Sequence, residues 1–342
     1  MLGGTKPEGM KPEGAKREGM SPEVVSPEGM SPEVVAAYAT CRAIAREKAK
    51  NFYYAFVALP REKRNAICAV YAFMRHADDL CDDESVPHSE RRISLDHWLE
   101  RWHQALRGAP TPDPVFIALI DAQKRFAIPS QLLDQLVEGT AMDLGRDEKA
   151  IDSIDSSRSA YDTYETFEEL YQYCYLVASI VGLVCIRIFG YEEKQAEKLA
   201  EETGIAFQLT NILRDVREDA ERGRVYLPLE DMRGADLSPE QLAGIRDRRG
   251  MPDGLPGLLQ FESQRAEAYY RSGQKLLPLV AADSRAALWV LIEIYHRLLR
   301  RIEQSKFDVF SRRISVPTHE KLTILGRGLL KTMLNRARPV TS

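Results

Sequence analysis

Between Tyr71 and Glu84 the chain reads YAFMRHADDLCDDE, setting Asp78, Asp79, Asp82, Asp83 and Glu84 close behind Tyr71 and Arg75. At about 100° per residue, Tyr71, Arg75, Asp78 and Asp82 share a narrow arc of one helix, with Asp79 at its edge. Acids at the C-terminal end of a helix meet the negative pole of its dipole, at a cost of roughly 0.3–1 kcal/mol each. A second run, QLTNILRDVREDAERGRVYLP at 208–228, repeats the design. Asn211, Asp215 and Asp219 follow one another at i, i+4 and i+8, with Gln208 and Arg214 to one side.

Each run has an ordinary explanation. A lone acidic cluster is most simply a solvated helix end. Pairs such as Asp215 with Arg222 would be helix salt bridges of about 0.3–0.5 kcal/mol. Neither explains acids that share a face with Tyr71 and Arg75 beside the apolar AICAVYAF, nor amide and carboxylate oxygens in a row behind TGIAFQLTNIL. Oxygens so spaced suit Mg²⁺, which takes one or two carboxylates and completes its shell with water and phosphate oxygens. Two such faces, flanked by arginines and backed by apolar helices, call for a ligand with a phosphate-rich head and a hydrocarbon body. Isoprenoid diphosphates have that form.

The elements that must position these residues read as helical nearly throughout. Apolar residues recur at three- and four-residue spacing in YATCRAIAREKAKNFYYAFVALP, which stops at Pro60, and in REKRNAICAVYAFMRHADDLCDD after it. Further helices are expected from Ser89 as N-cap, over 113–128, and from Pro129 in a first turn. TFEELYQYCYLVASIVGLVCIRIFG is apolar on almost every side and should end at Gly190. Helices are then expected over 192–222, 238–247, 255–281, 283–306 and 318–336, with no period-two strand or hairpin signal. The expectation is an all-α, single-domain helical bundle with a central apolar cavity over residues 36–342. Residues 1–35 carry a five-residue Pro/Gly repeat from 6 onward and read as a disordered, low-complexity tail.

A net charge of −4 and a pI near 6.0 leave no basic footprint, so no nucleic-acid partner is expected. Five cysteines without a C-x-x-C pair read as reduced thiols of a cytoplasmic protein. The run CYLVASIVGLVCI at 174–186 is too short to span a bilayer, so membrane association is expected to be peripheral at most, through an apolar product. Oligomeric state is not indicated.

The two acidic runs resemble the signature motifs of the squalene/phytoene synthase family, the trans-isoprenyl head-to-head synthases. The resemblance extends from about Cys41 to about Ile314 and includes NFYYAFVALPREKRNAICAVYAF, YQYCYLVASIVG and YHRLLRRIEQSKFDVFSRRISV. It implies an isoprenoid-synthase fold with a cavity for two prenyl diphosphates. By the same resemblance, Asp78, Asp79, Asp82, Asn211, Asp215 and Asp219 would be the metal ligands. Tyr71, Arg75, Tyr173 and Arg214 would serve the chemistry. Asn51, Phe52, Tyr71, Arg75, Gln208, Arg214, Tyr226, Tyr295 and Arg312 would contact substrate. Where some relatives carry a Ser-rich or His-containing diphosphate contact, this chain reads KAKNF, so Lys50 and Asn51 stand in its place.

The reaction implied is Mg²⁺-dependent condensation of two farnesyl diphosphates to a presqualene diphosphate or squalene-type product, of the bacterial kind. DDLCDD, with its paired aspartates, leans to the C15 substrate. A phytoene synthase acting on C20 geranylgeranyl diphosphate is the alternative. NADPH would serve a reductive second step, but no Gly-rich dinucleotide fingerprint is present. A non-catalytic helical scaffold of the same fold would be expected to lose the acids that this chain keeps. A His-Asp phosphohydrolase needs an adjacent His-Asp pair, and none of the six histidines precedes Asp.

Overall fold

Helix α9 (Gln195–Glu221) carries the whole acidic part of the second motif and runs through the middle of the molecule. The computed structural model describes residues 29–83, 85–152 and 161–336. The disorder expected of residues 1–28, and Glu84 of the first motif, lie outside the described residues. Before α9 come α1 (Pro32–Lys48), α2 (Lys50–Val57), α3 (Arg61–Cys81), α4 (His88–Leu106), α5 (Pro114–Phe126), α6 (Ser130–Asp152), α7 (Phe167–Cys174) and α8 (Ile180–Phe189). After it come α10 (Leu229–Gly234), α11 (Pro239–Ala243), α12 (Leu255–Leu276), α13 (Arg285–Gln304) and α14 (Thr318–Arg336). Two two-residue strands, β1 (Asp162–Thr163) and β2 (Arg224–Val225), pair in parallel.

The all-α expectation holds, with local differences. The last repeat unit, Ser31–Val35, is already folded: Ser31 caps α1, accepting from Val34 N at 3.3 Å, and Met30 is buried. The expected single helix up to Pro60 breaks at Ala49, where no Gly or Pro marks the break. α4 starts at His88 behind Pro87, rather than from a Ser89 cap, because proline pre-sets the entry backbone. α6 starts just past Pro129. Gly190 does close α8, at φ 80°.

α7 and α8 form one continuous rod through a π-helical stretch, Tyr175–Ser179. The 174–186 run is therefore part of a longer helix. Phe167–Phe189, 23 residues with an 18-residue window of mean hydropathy 1.8, is long and apolar enough to cross a membrane by length and composition. In the fold this rod packs on α9 and α6. Its approach to them depends on two glycines. A Cβ on Gly204 of α9 would lie 2.6 Å from Ser179 Cα, and one on Gly139 of α6 would lie 2.7 Å from Leu176 O. On its other side α9 lies against α12 and α13. α3 packs on α1, α5 and α6, and a ring cluster fills the core there, with Phe73 4.7 Å from Trp98 and 5.0 Å from Trp102.

The strand pair matters because it returns the chain to the end of α9. Gly223, at φ 75°, makes the turn, and Asp162 and Thr163 pair with Arg224 and Val225. That pairing was invisible to a search for alternating patterns, since two residues carry no period.

On α12, Glu262 is 2% exposed and bonds Arg265 at 2.6 Å, while Arg265 also reaches Asp231 at 2.9 Å. Burial pushes the Glu262 carboxyl up to about 7, against the opposing pull of Arg265. A carboxyl raised in the folded state binds protons that the unfolded chain has released, so stability falls as pH rises from about 4 to about 7. Glu262→Gln should therefore match the wild-type melting temperature near pH 4 and exceed it increasingly toward pH 8. Gly204→Ala should lower unfolding free energy in urea by about 1–3 kcal/mol through overpacking. Gly326→Ala, with nothing within 4 Å of its Cβ, should raise it by about 0.5–1 kcal/mol.

Candidate active site

The first motif occupies the last turns of α3. Asp78 is recessed, and Thr140 Oγ1 on α6 donates to its Oδ1 at 3.2 Å. One residue away, Gly139 lets α6 close on the rod at Leu176. Burial, the largest influence, drives the Asp78 carboxyl up to about 6, and the nearby Arg75 charge pulls it back. Asp82 caps the helix and is more exposed. Asp79, read from the sequence as a metal ligand, is set off from Asp78 by a quarter turn. It faces outward, over half exposed, and pairs with Arg75.

The second motif occupies the last four turns of α9. Arg214 grips Asp215 through two bonds, one of them Nε–Oδ1 at 2.8 Å. Arg313, from the segment after α13, closes on the same carboxylate from outside, with Nη2 2.9 Å from Asp215 Oδ1, and also pairs with Glu218. Asp219, half-buried one turn on, is pushed up to about 7, by burial first and by the Asp215 charge second. Tyr295 lies beneath, stacked on Phe207 at 4.5 Å and against Phe52 at 5.6 Å. Burial raises its hydroxyl to about 12, opposed by the Arg214 charge and an Asn211 hydrogen bond.

The two motifs meet across two adjoining cavities. The first, of about 460 Å³, takes Tyr71 and Asp78 from α3 and Gln208, Asn211 and Arg214 from α9, together with Tyr295 and Arg313. Its remaining wall is mostly apolar, from Phe52 and Phe56 on α2, Val177 to Phe189 on the rod, and Leu276 and Leu288. The second, of about 680 Å³, shares Met74, Asp78, Val177 and Val181 with the first. It adds Asp82, Thr140, Tyr173, Arg222 and Arg224. Tyr173 stacks on Tyr226 at 5.0 Å and donates to its hydroxyl at 3.2 Å, with Tyr164 5.5 Å from Tyr173.

Most of the residues singled out in the sequence thus converge. Arg75 and Asp79 pair with each other, Asp215 is held by Arg214 and Arg313, and none of Arg75, Asp79 and Asp215 lines either cavity, while Asp219 and Tyr226 reach only a small crevice beside Arg224. Arg312 is exposed and lines neither cavity, whereas its neighbour Arg313, also exposed, stands over Asp215 and borders the first cavity. Successive side chains of a non-helical segment project in different directions, so only one of the pair can face α9. The side chains of Lys50 and Asn51 lie outside the described residues. Sequence reading missed Thr140, Tyr164, Phe207, Arg222, Arg224 and Arg313 as neighbours of the site. For Arg222 and Arg224 a signal existed, since both stand inside the second motif. Thr140 had none.

The fit of a divalent cation rests on the donors. Asn211 Oδ1 is buried with no hydrogen-bond partner, while its amide nitrogen donates to Gln208 Oε1 at 3.3 Å. A buried, unpaired carbonyl oxygen among carboxylates is a ligand in waiting for a hard ion. Among the described residues no three His, Cys, Asp or Glu side chains form a metal-binding group by themselves. A small, hard cation here would draw on diphosphate oxygens and water as well, as Mg²⁺ does.

Comparison with known proteins agrees with this geometry. The family model for squalene/phytoene synthase matches residues 45–320. The chain belongs to the squalene/phytoene synthase family. Among its relatives is the 15-cis-phytoene synthase of Synechococcus elongatus, 34% identical over 308 residues, spanning 86% of this chain and 93% of that one. A crystal structure of a dehydrosqualene synthase in complex with ligand superposes with a TM-score of 0.74 at 28% identity, covering 89% of this chain and 98% of that one. The squalene synthase HpnC from Alicyclobacillus acidocaldarius gives 0.69 at 27% identity, covering 81% and 97%. The protein is therefore a prenyltransferase with the isoprenoid-synthase fold, and its reaction is a head-to-head condensation of prenyl diphosphates. Enzymes of this family are generally dependent on a divalent metal.

The placement of the two arginines separates them experimentally. Arg313→Ala should lower kcat/KM by about tenfold to a hundredfold, since a charge-assisted contact is worth about 1.5–3 kcal/mol. Arg312→Ala should stay within about twofold, as expected of an exposed side chain away from the site. Steady-state kinetics on both variants, at equal folded fraction, is the check.

Proposed function

We propose that the enzyme condenses two molecules of farnesyl diphosphate, with Mg²⁺, into a cyclopropylcarbinyl diphosphate of the presqualene type and on toward a squalene-type hydrocarbon. The observation that carries the reading is the shared wall: Asp78 borders two adjoining cavities, each with polar residues beside an apolar wall. Two hydrocarbon chains can lie side by side there with their diphosphates at the acidic faces.

When bound, Mg²⁺ supplies positive charge that stabilises diphosphate as a leaving group. The residues that would hold it are Asp78 and Asp82 on one face and Asn211, Asp215 and Asp219 on the other. Arg214 and Arg313 stand beside them to neutralise charge that develops as the first substrate's C1–O bond breaks. Tyr71 borders the first cavity and Tyr173 the second, and their ring faces would attract the allylic cation without hydrolysing it. The apolar side chains from the rod, α2 and α13 exclude water, which would otherwise quench the cation to an alcohol. The double bond of the second substrate attacks the cation. A proton is lost, the three-membered ring closes, and one diphosphate and one proton leave. A second ionisation would release the remaining diphosphate and open the ring to a linear cation. That cation would end by taking hydride from NADPH, giving a squalene-type hydrocarbon, or by losing a proton, giving a dehydrosqualene-type one.

The paired aspartates of DDLCDD support the C15 reading. The second reading, two C20 geranylgeranyl diphosphates, rests on the relatives named phytoene synthase at 34–35% identity. Chain length depends on the few side chains at the far end of a cavity, whereas identity averages over the whole chain. The motif therefore keeps the C15 reading first.

Purified protein incubated with Mg²⁺ and either C15 or C20 diphosphate, with and without NADPH, should release diphosphate and give a C30 product from the former. A C40 product as the main outcome would install the second reading. Asp82→Ala and Asp215→Ala should each cut turnover by at least about a hundredfold with helicity retained. Near-normal rates in either would overturn the assignment of the acidic face that carries it.

A further inference from the structure

Helix α14 turns apolar residues toward solvent. Its inner face is settled by packing on α13 and α2: Ile324 is buried, and a Cβ on Gly328 would meet the Val290 and Trp289 side chains. On the opposite face Leu322 is 54% exposed, Leu330 56% and Leu329 38%. Those three are most of the large hydrophobic residues that stand exposed among the described residues, the others being Ile93 and Phe261 on other helices. At about 100° per residue they share one outward arc with His319, Thr323 and Gly326.

The charge that α14 itself carries beside this face is basic, apart from one paired acid. Arg327 flanks it, and Lys321 and Lys331 stand on either side of the inner face, Lys321 above the Tyr54 ring at 5.8 Å. Lys331 Nζ lies 4.1 Å from the centre of the Trp289 ring. The one acid on the helix, Glu320, is paired with Arg301 of α13. Exposed leucines on a helix edged by cations have the composition of a helix lying in a membrane interface. A second copy of the chain would have to meet the same basic rim with acids, whereas an anionic lipid surface supplies the opposite charge. α14 also packs on α2, which gives Phe52, Ala55 and Phe56 to the wall of the first cavity.

We propose that the outward face of α14 is a membrane-docking surface that seats the enzyme on an anionic bilayer, with Leu322, Leu329 and Leu330 in the interface and Arg327 and Lys331 among the headgroups. Docking there brings the α2 side of the apolar cavity to the bilayer. A hydrocarbon product then has a short path from protein to lipid.

The test uses the full chain with large vesicles of phosphatidylcholine, either pure or carrying about 30% phosphatidylglycerol, because basic residues read the anionic leaflet. The protein should sediment with the anionic vesicles, be released as salt rises, and bind the neutral ones at least about tenfold more weakly. Leu322→Gln/Leu330→Gln and Arg327→Glu/Lys331→Glu should each lose about tenfold or more in partitioning, with unchanged melting temperature and unchanged turnover of detergent-dispersed substrate. Wild-type protein that stays in the supernatant, or variants that sediment equally well, would overturn the proposal. So would a dimer in analytical ultracentrifugation that Leu322→Gln/Leu330→Gln dissociates, because a second copy would then cover the face. The vesicle measurement does not depend on which diphosphate the enzyme uses.

Discussion

A carboxylate next to hydrocarbon is poorly solvated as an anion, and α3 and α9 carry several such groups to the edge of one apolar interior. The rise of Asp78 to about 6 and of Asp219 to about 7 measures that conflict. The structure answers it with cations placed one by one: Arg75 by Asp78, Arg214 and Arg313 on Asp215, Arg222 and Arg224 near Asp219. The arginines that look like surplus charge in the sequence are therefore part of the same device as the acids. They keep the anions available for a multivalent ligand while none is bound.

The second requirement is that the walls stay apolar right up to the polar end. Here the rod from α7 to α8 is decisive. Val177 and Val181 touch both cavities, so the same helix separates the two chambers and joins them. Its π-helical stretch lies where glycines on α6 and α9 let their backbones close in, and an extra residue per turn re-aims the side chains that follow. Tyr173, just before that stretch, is held by the Tyr164 and Tyr226 rings and not by the helix alone.

Membership in a family of head-to-head synthases and a site built of two facing acidic helices are two independent lines that meet on one reaction. The hydrocarbon body of a prenyl diphosphate must fit the apolar part of the first cavity. Its wall includes Phe52 beside Tyr295, Phe56 beside Tyr71, and Leu276 and Leu288. Charge complementarity sets the reaction class, and packing sets the substrate.

Much of this was legible in the amino-acid order because the governing interactions are local. Helical periodicity, Gly190 as a stop, and the i, i+4, i+8 row of Asn211, Asp215 and Asp219 all follow from one turn geometry repeated along the chain. The break at Ala49, the two-residue strand pair and the choice of Arg313 over Arg312 carry no local signature. The same holds for Thr140, which touches Asp78 from another helix, whereas the turn of Asp79 to Arg75 is an i, i+4 pair that helix geometry does encode. The sequence by itself determined an all-α fold and two acidic faces, since both are properties of single helices. Only the tertiary structure decided which acids face the cavities and which cations hold them, because those are contacts between helices that no period along one chain encodes.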